Sequence, residues 1–434
     1  MPSTALLTDH YELTMLQAAL RSGAGLRRSV FELFPRRLPD GRRYGVVAGV
    51  GRALESLREF RFGDAELAVL RDVVDAETLR WLASYRFSGD VWGYAEGETY
   101  FAHSPLVIVE GTFAEAVLVE TLLLSIYNHD SAIASAASRM TMAAGDRPCI
   151  EMGSRRTHEE AAVASARAAY VAGFATSSNL AARQRYGVPT AGTSAHSFTL
   201  LHDTERDAFR AQVDALGVGT TLLVDTYDVA EAVRLGVEVA GTGLGAVRLD
   251  SGDLGALARQ VREQLDSLGA TKTRIIVTSD LDEFAIASLA SAPVDGYGVG
   301  TQLVTGSGEP TCGFVYKLVA REDESGELVA VAKKSKEKTS LGGRKYALRR
   351  LSPQGVAQAE VVGIGTAPTG DGDPSTPLRT GDRSLLVPLV RDGEVVGAEP
   401  LDDARARHAR SRAELPLAAQ QMSRGEPVLP TVFE

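Results

Sequence analysis

The sequence predicts an α/β protein built around a parallel sheet that curls into a barrel, on three observations. Six short apolar runs recur between residues 149 and 301: CIEM (149–152), VPTAG (188–192), TLLVD (221–225), AVRLD (246–250), RIIVT (274–278) and GYGVG (296–300). Helical periodicity fills the intervals. Leu257, Val261, Leu265 and Leu268 keep one face, closed by Gly269, and Phe209, Val213 and Leu216 keep another, closed by Gly217. Alternating short strands and amphipathic helices make a parallel sheet covered on its faces. Each run ends in polar or glycine residues, and six such units in series favour a barrel over an open sheet.

The flanking regions lack this rhythm. A short helix is expected after Thr8 or Asp9, with Tyr11, Met15 and Leu16 on one face and Gly23 at its end. Strands are expected at Val30–Phe34 and Leu106–Val109, and an Ala- and Leu-rich helix from Phe113 to about Met142. Beyond Val315, residues 314–319 and 328–332 suit an antiparallel hairpin, followed by the basic loop KKSKEKTSLGGRK (333–345). Residues 363–382, rich in Gly, Pro and Asp, read as an exposed linker. A strand-turn-strand, LLVPLVRDGEVV (385–396), and a charged helix from about Leu401 close the chain.

At 434 residues the chain exceeds one ordinary core and suits two or three domains. With 46 basic and 56 acidic residues the formal net charge is −10, which gives no support to nucleic acid or an anionic membrane as partner. Cys149 and Cys312 stand alone, fitting neither a disulfide framework nor a zinc site, as expected in a reducing cytosol. No stretch approaches the roughly 18 apolar residues that span a bilayer, and MPSTALLTDHYEL does not read as a signal peptide. A soluble cytoplasmic protein is expected.

Residues with chemistry follow the strand runs directly. CIEM leads into Gly153-Ser154-Arg155-Arg156, VPTAG into Thr193-Ser194-Ala195-His196, TLLVD into Thr226-Tyr227-Asp228, AVRLD into Ser251-Gly252-Asp253, and GYGVG into Thr301. Barrel active sites lie at these strand ends. His196, just past a run and flanked by Thr193 and Ser194, suits a nucleophile or base, with Asp225 placed to orient its ring. Arg155, Arg156 and Arg248 are guanidiniums at two strand ends of an acidic protein, and their forks match phosphate or carboxylate oxygens. Arg156 reads equally well as an ion-pair partner of Glu151 or Asp250. Asp250 and Asp253 resemble a grip for a diol and a metal, although Asp, Ser and Gly also make simple helix caps. The Gly298–Thr301 turn offers bare N–H groups to a phosphate. Tyr11 reads by itself as a core aromatic.

The segments LLTDHYELTMLQAAL, FELFPRR, EMGSRR, GTSAHSF, VDTYD, VRLDSGDL, GVGTQLVT and VYKLVA resemble, in order, the serial motifs of the nicotinate phosphoribosyltransferase family. KKSKEKTSLGGRK and LLVPLVRDGEVV resemble its C-terminal region. The resemblance implies an irregular α/β barrel with a second α+β domain formed by N-terminal and C-terminal segments. The expected divisions are an N-terminal domain at 1–112, a barrel at 113–320, and a C-terminal segment at 321–434 that partly completes the N-terminal domain. It implies nicotinate, 5-phosphoribosyl 1-diphosphate and ATP as substrates and Mg²⁺ as cofactor. It also implies ligase and glycosyltransferase chemistry in NAD salvage, with ATP hydrolysis coupled through a phosphohistidine at His196 that Asp225 orients. A homodimer with shared sites is implied, Tyr11 packing on the pyridine ring of the other subunit. Thr193 and Arg248 match residues contacting nicotinate or the ribosyl donor, Asp250 one at the ribose and diphosphate, and Gly300 and Thr301 the 5-phosphate turn. Many relatives carry Phe where this chain has Met152, whose sulfur can still pack on a π face. Pro35 likewise replaces a common Phe in FELF.

The main alternative is nicotinamide phosphoribosyltransferase. An amide-selective site needs an acceptor, and the nicotinamide-taking relative has an aspartate where ATSSNL (175–180) offers Ser177, Ser178 and Asn179. Nicotinate is therefore favoured. A sugar-phosphate aldolase would place a lysine on a barrel strand, and none of the six runs has one.

Overall fold

The computed structural model describes residues 3–333, 341–365 and 381–434. The chain forms two compact units, one of residues 1–135 with 309–434 and one of residues 136–308.

The second unit holds an irregular α/β half-barrel of six parallel strands: β1 (Cys149–Glu151), β2 (Thr176–Ser177), β3 (Thr221–Leu223), β4 (Ala246–Leu249), β5 (Arg274–Ser279) and β6 (Gly296–Val299). Their spatial order is β2-β1-β6-β5-β4-β3, a curled sheet with all pairings parallel. The helices that follow begin on side-chain caps. Asn179 accepts from the Ala182 N–H (2.9 Å), Asp228 from Glu231 (2.8 Å), Asp253 from Ala256 (3.0 Å) and Asp282 from Ala285 (2.7 Å). These caps fix the chain's direction after β2, β3, β4 and β5, and the parallel pairing puts the carboxyl ends of all six strands on one rim.

The structure corrects the sequence reading in three places. VPTAG is not a strand; the second strand is Thr176–Ser177, and Thr190 makes only an isolated bridge to Ser177. Pro189 has no N–H to give a ladder. In the Glu205–Leu216 helix the buried stripe is Ala208, Phe209 and Gln212, with Leu216 exposed. Gln212 turns inward because its amide donates to the Thr220 hydroxyl (2.9 Å) and the Thr221 carbonyl (2.8 Å). In the His10–Arg21 helix the buried residues are Glu12, Leu13 and Leu16, leaving Tyr11 and Met15 exposed. Glu12 faces inward to accept from the Thr121 N–H (3.0 Å) and the Thr121 and Thr8 hydroxyls, and burial pushes its carboxyl up to about 7.

The first unit is organised on a seven-stranded antiparallel sheet in which Arg28–Pro35 lies between Val107–Thr112 and Phe314–Glu322. Arg28–Pro35 is buried at every position after the first, and Phe31 stacks on Tyr316 at 4.9 Å between ring centroids. The expected hairpin is present as Phe314–Glu322 paired with Leu328–Ala330, and the late strand-turn-strand as Leu386–Arg391 with Glu394–Val395. A four-stranded sheet adds Lys345–Leu351, Ala357–Ile364, Asp382–Ser384 and Thr431–Phe433. The basic loop at 334–340 and the core of the expected linker, 366–380, lie outside the described residues. Among the described residues no helix is long and apolar enough to cross a membrane.

Candidate active site

A cavity of about 250 Å³ opens at the carboxyl ends of the barrel strands. The turn after β1 contributes Met152, Arg155 and Arg156, β4 contributes Arg248 and Asp250, β5 Thr278, Ser279 and Asp280, and β6 Gly298, Gly300 and Thr301. Met152 lies across Gly298 so closely that a Cβ there would stand 2.8 Å from its sulfur, so glycine at this position lets Met152 reach the cavity. Ser279 holds φ at +150°, a conformation L residues rarely adopt, where β5 leaves the sheet into the cavity wall.

Beside the cavity, His196 heads a short helix with its Nδ1 3.1 Å from the Thr226 hydroxyl. Its Nε2 faces two carboxylates, Asp225 Oδ1 at 4.0 Å and Asp250 Oδ2 at 3.9 Å. Both are too long for hydrogen bonds, so the group holding the ring is Thr226. The Asp225 side chain is almost wholly covered; its Oδ2 accepts from the Asp250 N–H (2.9 Å) and the Ser251 hydroxyl (2.7 Å), whereas Oδ1 has no hydrogen-bond partner among the described residues. Arg248 donates through Nη1 to the Thr193 hydroxyl and the Ser194 carbonyl (3.1 Å), and its buried Nε has no hydrogen-bond partner among the described residues. Burial pulls the Arg248 guanidinium below the usual arginine range, against the opposing pull of Asp250 and Asp225, and Arg155 adds to the lowering. Among the described residues Arg155, Arg156 and Arg248 have no carboxylate within ion-pair distance.

Of the residues singled out in the sequence, Met152, Arg155, Arg248, Asp250, Gly300 and Thr301 line this one cavity. Thr193 joins it through Arg248, and His196 and Asp225 stand beside Asp250. Tyr11 belongs to the other compact unit, where partial burial and the neighbouring Glu120 push its phenol up. Asp253 serves as the helix cap foreseen as its simpler reading. Ser177 and Asn179 are already engaged: Ser177 donates to Glu151, and Asn179 caps its helix and donates to Ser154 at 3.0 Å. Thr278, Ser279 and Asp280 were given no role from the sequence, and Thr226 was named there only as a polar residue after a strand. The signal was available for the first three, since TSD follows RIIV at the place in the rhythm where DSGD follows AVRL.

Guanidiniums without carboxylate partners among the described residues can bind anionic oxygens from outside the chain, and carboxylates beside them can bind hydroxyls or a cation. A parallel α/β barrel that presents both at its strand ends suits an enzyme whose substrate carries anionic oxygens and hydroxyls. The profile of the nicotinate phosphoribosyltransferase (NAPRTase) N-terminal domain matches residues 6–128. Nicotinate phosphoribosyltransferase pncB1 of Mycobacterium tuberculosis is 57% identical, over 98% of this chain and 94% of that protein. The Bacillus subtilis nicotinate phosphoribosyltransferase is 38% identical, over 81% and 74%. The crystal structure of human nicotinic acid phosphoribosyltransferase superposes with a TM-score of 0.82 at 26% identity, covering 98% of this chain and 97% of that one. The chain belongs to the nicotinate phosphoribosyltransferase family.

Proposed function

We propose that this chain joins nicotinate to the ribose of 5-phosphoribosyl 1-diphosphate, forming nicotinate mononucleotide and diphosphate in pyridine nucleotide and NAD biosynthesis. The observation that carries the reading is the set of three guanidiniums, without ion-pair partners among the described residues, in the cavity of an acidic barrel. The pyridine nitrogen is itself the nucleophile, and positive charge builds on the ribose as diphosphate leaves. The protein therefore needs no base at the reacting atoms; it must align the reactants, hold the leaving group and exclude water. Arg155 and Arg248 suit the carboxylate and phosphate oxygens, Asp250 the ribose hydroxyls, Gly300 and Thr301 the 5-phosphate, and Met152 the face of the ring. Thr193 fixes Arg248.

Mg²⁺ fits the residues present. Among the described residues no three His, Cys, Asp or Glu gather as a protein cage, but Mg²⁺ ordinarily takes one or two carboxylates with water and phosphate oxygens. Asp250 and Asp280 line the cavity, and Asp225 Oδ1 has no hydrogen-bond partner among the described residues. Bound there, the ion would neutralise charge on the leaving diphosphate. His196 is the residue we assign to accept phosphate from ATP, since its Nδ1 is engaged by Thr226 while Nε2 remains free of hydrogen bonds among the described residues. We further assign a homodimer in which Tyr11 packs on the pyridine ring of the other subunit; Leu6, Leu7, Tyr11 and Met15 form an exposed apolar set at the N-terminus. The buried free thiols Cys149 and Cys312 suit the cytoplasm.

Purified protein with phosphoribosyl diphosphate and either nicotinate or nicotinamide, with and without ATP, tests the reading. Nicotinate should give mononucleotide far faster; equal rates or a nicotinamide preference would remove the case for the carboxylate. In His196→Ala, ADP release and acid-labile phosphoprotein should vanish while ribosyl transfer persists weakly. Undiminished ATP hydrolysis there would show that the phosphohistidine role does not apply.

A further inference from the structure

We propose that Glu151 is a positioning residue of the active site, holding the Met152–Arg156 turn in shape through a buried polar circuit. The inference rests on the reading that this turn binds substrate. Glu151 is fully buried at the end of β1, and its two carboxylate oxygens have different partners. Oε1 accepts from the Gly153 N–H and Oε2 from the Ser177 hydroxyl. Ser177 Oγ in turn accepts from the Asn179 N–H (2.8 Å), and the Asn179 amide donates to Ser154 Oγ (3.0 Å). The circuit therefore leaves the turn at Gly153 and returns to it at Ser154. Arg156 closes the turn by donating its N–H to the Gly153 carbonyl (2.8 Å), and Met152 ties it to β6 by donating to the Val299 carbonyl (2.8 Å).

Three features set Glu151 apart from a packing residue. Among the described residues it has no cation partner, and burial pushes its carboxyl up against the opposing pull of Ser177 and the Gly153 N–H. A buried charge of this kind is costly, and a neutral side chain would fill the space at lower cost. A carboxylate, however, can only accept, so it dictates the direction of both donors. The Gly153 N–H and the Ser177 hydroxyl both aim at Glu151, where an amide would reverse one of the two bonds. Gly153 has no room to adjust, because a Cβ there would collide with the Val304 side chain. The turn so fixed carries Met152, Arg155 and Arg156 into the cavity, and displacement of such groups by about 1 Å is enough to lose much of their effect.

The test is a double-mutant cycle read by calorimetric binding of nicotinate and of phosphoribosyl diphosphate, alongside turnover and thermal unfolding. Glu151→Gln keeps the shape but must donate to Ser177. It should weaken binding of at least one of the two anions about tenfold, with kcat within about threefold and the unfolding midpoint nearly unchanged. Arg155→Ala should weaken the same ligand, and adding Glu151→Gln to it should cost less than about twofold more, because both changes act through one turn. Should Glu151→Gln unfold the chain, Ser177→Ala opens the circuit from its other side and enters the same cycle. Unchanged affinities in a folded variant, or losses that simply add, overturn the positioning role. An Arg155→Ala that binds both ligands normally overturns the substrate role of the turn, and the positioning role with it. A wild-type chain that binds both ligands but makes no mononucleotide overturns the proposed reaction and leaves the binding cycle to decide on Glu151.

Discussion

In the unit of residues 1–135 and 309–434, the fully buried Arg349 donates to Glu360 at 2.8 Å and to the Thr99 carbonyl at 2.8 Å, and Glu360 also accepts from the Tyr94 and Ser104 hydroxyls. Arg383 bridges Glu98 and Glu414 nearby; although burial pushes the Glu98 carboxyl up, Arg383 and Arg349 hold it below the usual range. Lys345 pairs with buried Glu32. At the barrel mouth the same residue types are arranged otherwise. Arg248 bonds only to neutral oxygens, Asp225 Oδ1 has no hydrogen-bond partner among the described residues, and Glu151 is buried with hydroxyl and N–H donors alone. The first arrangement neutralises charge within the fold and contributes to architecture. The second holds charge unpaired beside a cavity, where an incoming anion or cation completes it.

Removing a guanidinium should have opposite effects in the two regions, at the fully buried Arg349 and at the half-buried Arg248. Arg349→Ala leaves Glu360 buried without its cation and should destabilise the chain by about 3–5 kcal/mol in denaturant unfolding. Arg248→Ala should lower kcat/KM for mononucleotide formation by about a hundredfold, with an unfolding midpoint unchanged or raised, because the fold no longer desolvates an unpaired cation. If Arg248→Ala destabilises as much as Arg349→Ala, the division between architectural and functional charge collapses. The smallest effect sharpens an exception. Glu12, in the first unit, is a buried carboxylate whose bonds come from Thr8 and Thr121, and it neighbours Tyr11. Its carboxyl is raised to about 7 in the fold, so the stability it lends is fully present below its unfolded pKa near about 4.3 and lost as pH rises through about 7. Glu12→Gln should therefore flatten the fall in unfolding free energy between about pH 4 and 7 by roughly 1–3 kcal/mol. An unaltered slope would show that Glu12 is not a source of that pH dependence.

The sequence by itself determined the βα rhythm, five of the six barrel strands, and most of the cavity: Arg155, Arg156, Arg248, Asp250, Gly298, Gly300 and Thr301 were legible because a parallel strand must end in a loop and barrel loops share a rim. Those are local signals, carried by apolar runs and the polar residues that stop them. Tertiary structure decided where a polar side chain turns once its partners arrive from distant segments. Glu12 faces inward because Thr121 meets it, Gln212 because Thr220 and Thr221 do, and Ser177 faces Glu151 and not a ligand because β2 lies beside β1. Tertiary structure also decided that Thr176–Ser177, only two residues long, is the strand while the more apolar VPTAG is not. Ladder pairing depends on which backbone N–H groups find a neighbour, and no local periodicity encodes that neighbour. The same holds for residues 309–434, which join 1–135 through pairings such as Leu33 with Tyr316, nearly three hundred positions apart.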